Sequence, residues 1–342
     1  MTTFELIHLL RDLKLEHDNF RVAYSRSFAQ AALAPPGQVI AIVGPTRVGK
    51  TTLSRRLSAD LVKAKPGRLE RSIPLARVEA ATTNQGKFST KHFTLRFLEE
   101  LADPINMGEL VGFRRNQSET HLRIQLERCI RYRETSFLIV DEAHHLLRTP
   151  SQIRSAEVLD TLKCLGNSTG LVIILLGGYE LLQSCFSSAH LNGRLTVIDF
   201  PPYTASADSS RELDRIFVTL DEMLPFATGN SLLGSRDFIF SGSLGCLGLL
   251  IGWTINALAE MQARGEHALR LKHFEVTRLV EQMRPIKEEI ELGQSLLSQH
   301  RSTVQTLATD SSKSPKKAIK IKRRPGRRKP HRDPGPGGCK AA

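Results

Sequence analysis

The clearest chemical signature in the chain is a glycine-rich run, Gly44-Pro45-Thr46-Arg47-Val48-Gly49-Lys50-Thr51. The run fits the pattern G-x-x-x-x-G-K-[ST], and it lies between a β-rich segment and a helical one, as the pattern requires. Glycines let backbone N–H groups turn inward around phosphate oxygens, Lys50 reaches the β- and γ-phosphates, and Thr51 can hold Mg²⁺. The run, extended to Thr52, predicts a site for a nucleoside triphosphate with Mg²⁺.

Two carboxylates form the second signature, Asp141 and Glu142, directly after the apolar residues 137–140. At the carboxyl end of a strand beside the phosphate loop, Asp141 would hold Mg²⁺ and Glu142 would orient and deprotonate the attacking water. A glutamate directly after the metal-binding aspartate favours hydrolysis over transfer. The alternative interpretation is structural, because residues at strand ends can simply cap a helix.

The histidines and cysteines do not indicate a metal site. His144 and His145 lack the H-E-x-x-H spacing, so we expect them to line the start of the following helix. The five cysteines lie far apart with no C-x-x-C pair, which predicts a reduced cytosolic chain without zinc. Residues 141–144 also spell the Asp-Glu-Ala-His box of a helicase superfamily, but such helicases need a second motor domain with an arginine-rich motif, and this chain has neither.

The elements around these residues alternate between two types. Nearly all-apolar runs occur at residues 38–43, 73–78, 137–140, 171–176 and 195–200. Helix-period sequence separates them, including residues 57–62, 93–101 and 122–130, and residues 1–35 also show helical spacing. This alternation predicts an α/β fold with a five-stranded parallel sheet covered on both faces.

Beyond Pro201-Pro202 the pattern becomes purely helical, with segments at residues 213–223, 244–258 and 274–283. Residues 238–259 contain no charged side chain and are long enough to span a bilayer. A turn signal in their first half leaves only about sixteen residues for an apolar helix, so we predict a buried core helix and no membrane partner.

The net charge of +13 is concentrated at the C-terminus. Residues 313–342 hold twelve lysines and arginines against one aspartate, whereas the other 312 residues hold 36 against 34. Such a tail favours a polyanion partner, most simply nucleic acid, although it could also act as a solubilising tail. Its Gly/Pro-interrupted core faintly resembles an AT-hook; a polybasic arm or a segment that binds an acidic protein surface is an equal alternative.

These patterns divide the chain into five predicted regions. They are an N-terminal helical segment (1–35), an α/β nucleotide-binding domain (36–204), a small all-α lid domain (205–290), a helical linker (291–310) and a disordered basic tail (311–342).

The order of phosphate loop, Asp-Glu strand, glycine-ended fourth strand and helical lid resembles the AAA+ ATPases. The Asp-Glu-Ala-His-His-Leu-Leu segment and the segment from Asn192-Gly193-Arg194 to Phe200-Pro201-Pro202-Tyr203 look like the TnsC/TniB-type ATPases that regulate DNA transposition. The resemblance covers roughly residues 20–285. It implies ATP and Mg²⁺ as cofactors, a homo-oligomeric ring or filament on duplex DNA, and a cytoplasmic, nucleoid-associated bacterial protein. It also implies that the assembly connects a TniQ/TnsD-like target-selection protein to the transposase.

The same resemblance implies roles for further residues. Arg194 matches the position from which a family member reaches into its neighbour's ATP site as an arginine finger. DNA phosphate contacts are expected after the second strand and then further along the chain, at Lys87, Thr90, Lys91, Arg114, Arg115 and Arg123.

Two departures from the family pattern concern residues that sense the nucleotide. The fourth strand is followed by Gly177-Gly178-Tyr179 instead of a polar sensor, and the lid carries Gly245-Cys246-Leu247-Gly248 without the usual arginine. Hydrolysis is therefore expected to be slow or stimulated by a partner. Two alternatives to the transposition ATPase remain open: a nucleotide-switched DNA adaptor with negligible hydrolysis, and an AAA+ ATPase of the helicase-loader or secretion type.

Overall fold

The computed structural model describes residues 2–13, 15–83, 86–102, 118–149, 155–187, 193–278 and 280–311. Its centre is a parallel five-stranded sheet with the spatial order β2-β3-β4-β1-β5. The strands are β1 (Val39–Val43), β2 (Leu75–Glu79), β3 (Phe137–Asp141), β4 (Val172–Gly177) and β5 (Leu195–Asp199). The predicted α/β class and the five parallel strands are confirmed.

The register of the sheet aligns the carboxyl ends of the strands. Val43 pairs with Gly177 on one side and with Asp199 on the other, and Glu79 pairs with Asp141. Parallel strands deliver their following loops to the same edge of the sheet, where ligands of such folds bind. The loops after β1, β3 and β4 therefore meet at one edge.

Helices cover both faces of the sheet. One face packs against α2 (Asp18–Leu33) and α3 (Lys50–Ala64), and the other packs against α4 (Thr90–Glu100), α5 (Glu119–Tyr132), α6 (Ser155–Thr169) and α7 (Glu180–Ser187). All residues of the three central strands are buried. Since successive side chains of a strand point to opposite faces, burial on both sides explains why these strands are apolar throughout.

A second apolar core lies in the helical region that follows the sheet. It is formed by α8 (Ala207–Met223), α9 (Arg236–Ser243), α10 (Leu247–Ala263) and α11 (Leu271–Val276). The Trp253 ring packs edge-on against Phe274, and its Nε1 donates to the Phe274 carbonyl oxygen at 3.0 Å. Helix α1 (Thr3–Asp12) buries Leu6 and Leu10 in this core, whereas α2 packs on the sheet. The two N-terminal helices thus join different cores.

The long uncharged stretch at residues 238–259 is broken into two helices. Leu244 and Gly245 both have positive φ, 51° and 69°, and they separate α9 from α10. The predicted turn thus begins six residues later than the sequence indicated, because residues 238–243 are helical. Across the residues that the structure describes, no single helix is long and apolar enough to cross a membrane; segments Leu233–Ser243 and Leu247–Ala263 pass that test only as a pair, bent by 111°.

The last helix is α12 (Val280–Ser311). The prediction of one helix over residues 274–283 is wrong, because α11 ends at Val276, where the Thr277 hydroxyl donates to the carbonyl oxygen of His273 at 2.7 Å. The apolar residues in this range belong to two separate helices, α11 and α12.

The chain divides into two units, residues 1–297 and 298–342; all strands and helices up to Leu297 belong to the first. In the second unit, residues 298–311 are the end of α12, and the predicted basic tail lies outside the described residues.

Candidate nucleotide site

The glycine-rich run forms a tight loop between β1 and α3, and both of its glycines are required by the geometry. Gly49 has φ 115°, a conformation that side chains with a Cβ rarely adopt. At Gly44 a Cβ would lie 2.3 Å from the carbonyl oxygen of Phe200. The Gly44 N–H donates to the Gly177 carbonyl oxygen at 3.3 Å, which joins the loop to the end of β4. The loop is thus held close to the sheet at the N-terminus of α3.

Lys50, the first residue of α3, is folded back over this loop. Its Nζ donates to the carbonyl oxygens of Gly44 and Pro45 at 2.9 and 2.8 Å. Burial lowers the pKa of Lys50, and the nearby carboxylates Glu289, Glu142 and Asp141 oppose that shift. The ammonium group thus lies at the mouth of the loop, where the motif requires it to meet phosphate oxygens.

Asp141 ends β3 in a buried position, with 5% of its surface exposed. Its Oδ2 accepts a hydrogen bond from the Arg77 guanidinium at 2.9 Å, and its Oδ1 accepts the Glu142 N–H at 3.1 Å. Sequence reasoning missed Arg77, although a charged residue inside the predicted apolar run at residues 73–78 was an available signal. The guanidinium supplies the partner that a buried carboxylate needs.

Glu142 follows in the left-handed region, at φ 51° and ψ 38°. A non-glycine residue in this region is strained, and such strain is concentrated at functional sites. Oε2 of Glu142 lies 3.2 Å from Nδ1 of His144. His144 and His145 belong to a short 3-10 helix, Ala143–Leu147, and burial lowers the pKa of both rings. The buried Nδ1 of His144 makes no hydrogen bond within the described part of the chain, so its approach to Glu142 is a close contact without a hydrogen bond.

A cavity of about 1070 Å³ lies over the phosphate loop. Residues 46–52 of the loop and α3 line its polar end, together with Glu142, His144 and Glu289. Phe20 from α2 and Leu247, Ile251 and Ile255 from α10 line an apolar part of it. A nucleotide has the same two halves, a charged phosphate chain and a flat base, and the cavity is large enough for both.

The lid helix α10 contacts the phosphate loop directly. The Gly248 N–H donates to the Arg47 carbonyl oxygen at 2.9 Å, and a Cβ on Gly248 would lie 2.4 Å from that oxygen. The position where the family pattern carries a sensor arginine is thus a close backbone contact in this chain.

The residues that are present fit Mg²⁺ only together with a nucleotide. Mg²⁺ prefers oxygen ligands, and in nucleotide sites it is held by one or two protein oxygens plus phosphates and waters. The Thr51 hydroxyl and the Asp141 carboxylate supply such oxygens next to the loop. Within the described parts of the chain, no group of three or more His, Cys, Asp or Glu residues could bind a metal by itself. Thr51 and Asp141 are therefore the residues that would hold the ion.

His17 closes the cavity from the N-terminal side, and sequence reasoning did not identify it. Nδ1 of His17 lies 2.9 Å from the Tyr203 hydroxyl and 3.4 Å from the Phe20 N–H, which donates to it. Since Nδ1 accepts, it carries no proton in this arrangement, and the Tyr203 O–H is the donor. Burial lowers the pKa of His17 to about 4 and raises that of Tyr203. The pair is therefore neutral at pH 7.

We expect this buried histidine to make the protein acid-sensitive. The pKa of His17 is about 4 in the folded chain against an ordinary 6.5, so below pH 6.5 the unfolded chain takes up a proton that the folded chain does not. The free energy of unfolding should fall between pH 6.5 and 4, by on the order of 3 kcal/mol from this group. Urea unfolding at several pH values measures the loss. The His17→Gln variant should show a shallower pH dependence over this range; an unchanged slope would contradict the assignment.

Arg194 lies at the opposite edge of the sheet from the phosphate loop. It precedes β5, its carbonyl oxygen accepts the Val39 N–H at the start of β1, and its exposed side chain contacts Asn167. The five residues of β5, with a rise of about 3.3 Å each, separate Arg194 by roughly 16 Å from the carboxyl ends of the strands. Arg194 therefore cannot reach the phosphate loop of its own chain, and a role at an ATP site requires a second copy.

The residues predicted to contact DNA differ in their exposure and in their partners. Lys87 is exposed, Thr90 donates to Glu119, and Lys91 is only partly exposed. Arg123 is paired with Glu127 at 2.9 Å on α5 and also donates to the Thr161 carbonyl oxygen. Arg114 and Arg115 lie outside the described residues. Lys87 is thus the lysine or arginine among the described candidates that is most open to solvent, and all six stay predictions.

Comparison with known proteins agrees with this architecture. Residues 36–184 match a family profile described as an AAA domain. No curated protein sequence matches the chain.

Several solved structures are similar in fold. The ORC2 protein of Aeropyrum pernix is 17% identical, with a TM-score of 0.49 over 76% of this chain and 65% of that one. A Walker-type ATPase of Pyrococcus abyssi is 16% identical, with a TM-score of 0.48 over 88% and 81%. Drosophila ORC, solved bound to DNA, is 15% identical, with a TM-score of 0.49 over 80% and 64%. The chain spans slightly less than two thirds of the Aeropyrum and Drosophila chains. At identities this low, the similarity concerns the fold alone.

Proposed function

Because residues 36–184 match an AAA domain and the fold is of the AAA+ P-loop type, we propose that the protein is an ATPase that assembles on duplex DNA and regulates transposition. One observation supports the ATPase above all. Lys50 begins α3, whereas Asp141 ends β3 and Glu142 follows it, and the three meet beside a single phosphate loop at one edge of the sheet.

The arrangement supports hydrolysis as follows. The loop N–H groups and Lys50 bind the phosphates, and Thr51 and Asp141 would hold Mg²⁺, which supplies charge neutralisation on the phosphate oxygens when bound. Glu142 accepts the proton of the attacking water, and its carboxylate lies next to the His144 ring. Residues 46–52 line the same cavity as Glu142 and His144.

Different features support the DNA and partner roles. The basic tail would bind phosphates without sequence preference, in a salt-dependent manner. The position of Arg194 is compatible with action only on a neighbouring copy, which agrees with a homo-oligomer. The resemblance of the segments around His144 and Tyr203 to TnsC/TniB-type ATPases is what supports a transposase and a TniQ/TnsD-like target-selection protein as partners.

The proposal is tested by the size of the particles formed on a short duplex. We expect large assemblies by sedimentation with ATP and Mg²⁺, and small ones with ADP or without nucleotide, because ATP and ADP differ in the assembly that they favour. Raising the salt concentration should dissociate the assemblies from the DNA. Binding of lysines and arginines to DNA phosphates releases counterions, and added salt opposes that release. Equal binding in all three states would contradict the nucleotide switch.

A nucleotide-switched adaptor is the second candidate, and the missing sensors favour it. Gly177 ends β4 and Gly178 follows it, where a polar sensor is expected, and Gly248 packs on the phosphate loop where an arginine is expected. An adaptor would assemble on DNA with ATP but release no phosphate. Failure to bind DNA in any nucleotide state would instead favour an ATPase of the helicase-loader or secretion type.

A further inference from the structure

Helix α12 places a carboxylate on the phosphate loop. Oε2 of Glu289 accepts the Thr46 N–H and Oε1 accepts the Tyr179 N–H, both at 3.4 Å. Thr46 belongs to the phosphate loop, and Tyr179 follows β4 by two residues. The Glu289 side chain therefore bridges two of the three loops that meet at the ligand-binding edge of the sheet.

The packing of α12 against the Tyr179 ring holds Glu289 at this position. Gly293 lies one turn after Glu289, and a Cβ there would be 2.2–2.6 Å from three carbons of the Tyr179 ring. The Tyr179 ring is almost fully buried, and its hydroxyl donates to Asp199 at 2.9 Å, so it cannot easily move away. Gly178 in turn leaves room for Glu289, since a Cβ there would lie 2.6 Å from Oε1. Two glycines thus permit the close approach of α12.

The charge of Glu289 acts on the lysine of the motif. Glu289 opposes the lowering of the Lys50 pKa more strongly than Glu142 or Asp141 does. The motif lysine normally meets the β- and γ-phosphates, and loop N–H groups normally meet phosphate oxygens. In this structure the Glu289 carboxylate, which has the same charge sign as a phosphate, accepts the loop N–H of Thr46 and attracts the Lys50 ammonium electrostatically, while Lys50 donates to the carbonyl oxygens of Gly44 and Pro45.

We propose that residues 280–297 are an autoinhibitory element in which Glu289 occupies the place of the terminal phosphate of ATP. The carboxylate and the terminal phosphate compete for the loop N–H of Thr46 and for the electrostatic attraction of Lys50, and their like charges repel. ATP binding therefore requires this part of α12 to leave the site, whereas ADP, which lacks the terminal phosphate, can bind while α12 stays. The inference rests on the proposed function only in requiring that ATP binds at this loop.

Competition of this kind lowers the apparent affinity for ATP by the fraction of molecules in which the site is open. It also links the nucleotide to the position of α12, the helix that leads toward the basic tail. A partner or DNA that captures the released helix would strengthen ATP binding by the same factor.

The test compares nucleotide affinities of the full-length chain with fluorescent ATP and ADP analogues. Glu289→Ala should tighten ATP binding about tenfold and ADP binding less than about twofold, because only ATP competes with the carboxylate. Glu288→Ala is the matched control. Glu288 is the preceding residue on the same helix, is exposed, and pairs with Arg284 at 3.4 Å. This control should bind both nucleotides as the wild type does.

A second variant leaves the carboxylate in place. Gly293→Ala favours the helical state of α12 but puts a Cβ into the Tyr179 ring, so it should tighten ATP binding in the same sense. Hydrogen exchange gives a readout that is independent of affinity. In the wild type, a non-hydrolysable ATP analogue should speed exchange of amides 286–297, and ADP should leave it unchanged.

The outcomes separate the two proposals. If both variants bind ATP no more tightly than the wild type, or if the ATP analogue slows exchange in α12, the autoinhibitory role is wrong and Glu289 belongs to the bound nucleotide's own site. If the wild type and every variant fail to bind nucleotide, the proposed function is wrong, and the autoinhibitory role is wrong with it.

Discussion

Replacing Glu142 with glutamine is expected to lower the rate of ATP hydrolysis by about 10²- to 10⁴-fold, the usual contribution of a positioned general base. Glutamine has the same shape as glutamate, so the strained backbone at φ 51° and the β3 terminus should stay unchanged. What is lost is the negative oxygen that takes a proton from water. ATP affinity should therefore change by less than about threefold, because the loop and Lys50 are intact.

Steady-state phosphate release together with nucleotide binding measures both effects. The matched control is Glu180→Gln, which removes a carboxylate from the same cavity wall at a position that does not follow β3. If the proposed hydrolysis drives disassembly, the Glu142 variant should also stay on DNA with ATP, whereas the control should dissociate as the wild type does. Hydrolysis at the wild-type rate in the Glu142 variant would exclude it as the base. Negligible hydrolysis by the wild type would favour the adaptor.

The parts of this site that local sequence could predict are those that lie at strand ends. The phosphate loop, Asp141 and Glu142 each follow a short apolar run, and a parallel sheet brings the ends of such runs together regardless of what else the chain does. The strands themselves could be predicted from the sequence because both faces of the sheet are buried, which leaves almost no polar residue inside β1, β3 or β4.

Glu289 could not be predicted in this way, because 243 residues separate it from its partner Thr46. Helical periodicity shows which face of α12 is apolar but not what that face will contact. Gly293 was the available signal, since a glycine inside a helical pattern is tolerated mainly where another group approaches closely. Arg77 and His17 were missed for the same reason: their partners, Asp141 and Tyr203, are distant along the chain.

Local sequence also could not place the two N-terminal helices. Both show helical spacing, and the sequence groups them as one segment, yet α1 buries Leu6 and Leu10 with the lid core, and α2 buries Phe20 beside the sheet. Between the two helices, Leu13, Leu15, Glu16 and His17 line the cavity. The nucleotide site is thus enclosed by segments from both cores.

Replacing Lys50 with alanine is expected to weaken ATP binding by about 100-fold or more, since a charged hydrogen bond to phosphate contributes roughly 1.5–3 kcal/mol and Lys50 can make several. Thermal unfolding measures this through ligand stabilisation. ATP at about 100 times the wild-type Kd should stabilise the wild type by roughly 2.7 kcal/mol and the variant by well under 1 kcal/mol. Lys63→Ala is the matched control, because Lys63 lies on the same helix, is exposed and pairs with Asp60 at 3.1 Å.

The Lys50 variant also separates two effects of the same side chain. Without nucleotide, Lys50 donates to the carbonyl oxygens of Gly44 and Pro45 and lies near Glu289, so its removal loosens the loop and leaves the carboxylate without its cation. If Glu289 is an inhibitor held partly by Lys50, the double variant with Glu289→Ala should recover part of the lost ATP affinity, because repulsion from an unpaired carboxylate disappears. Strict additivity of the two changes would mean that the groups do not interact, and unchanged ATP stabilisation in Lys50→Ala would place the nucleotide elsewhere in the molecule.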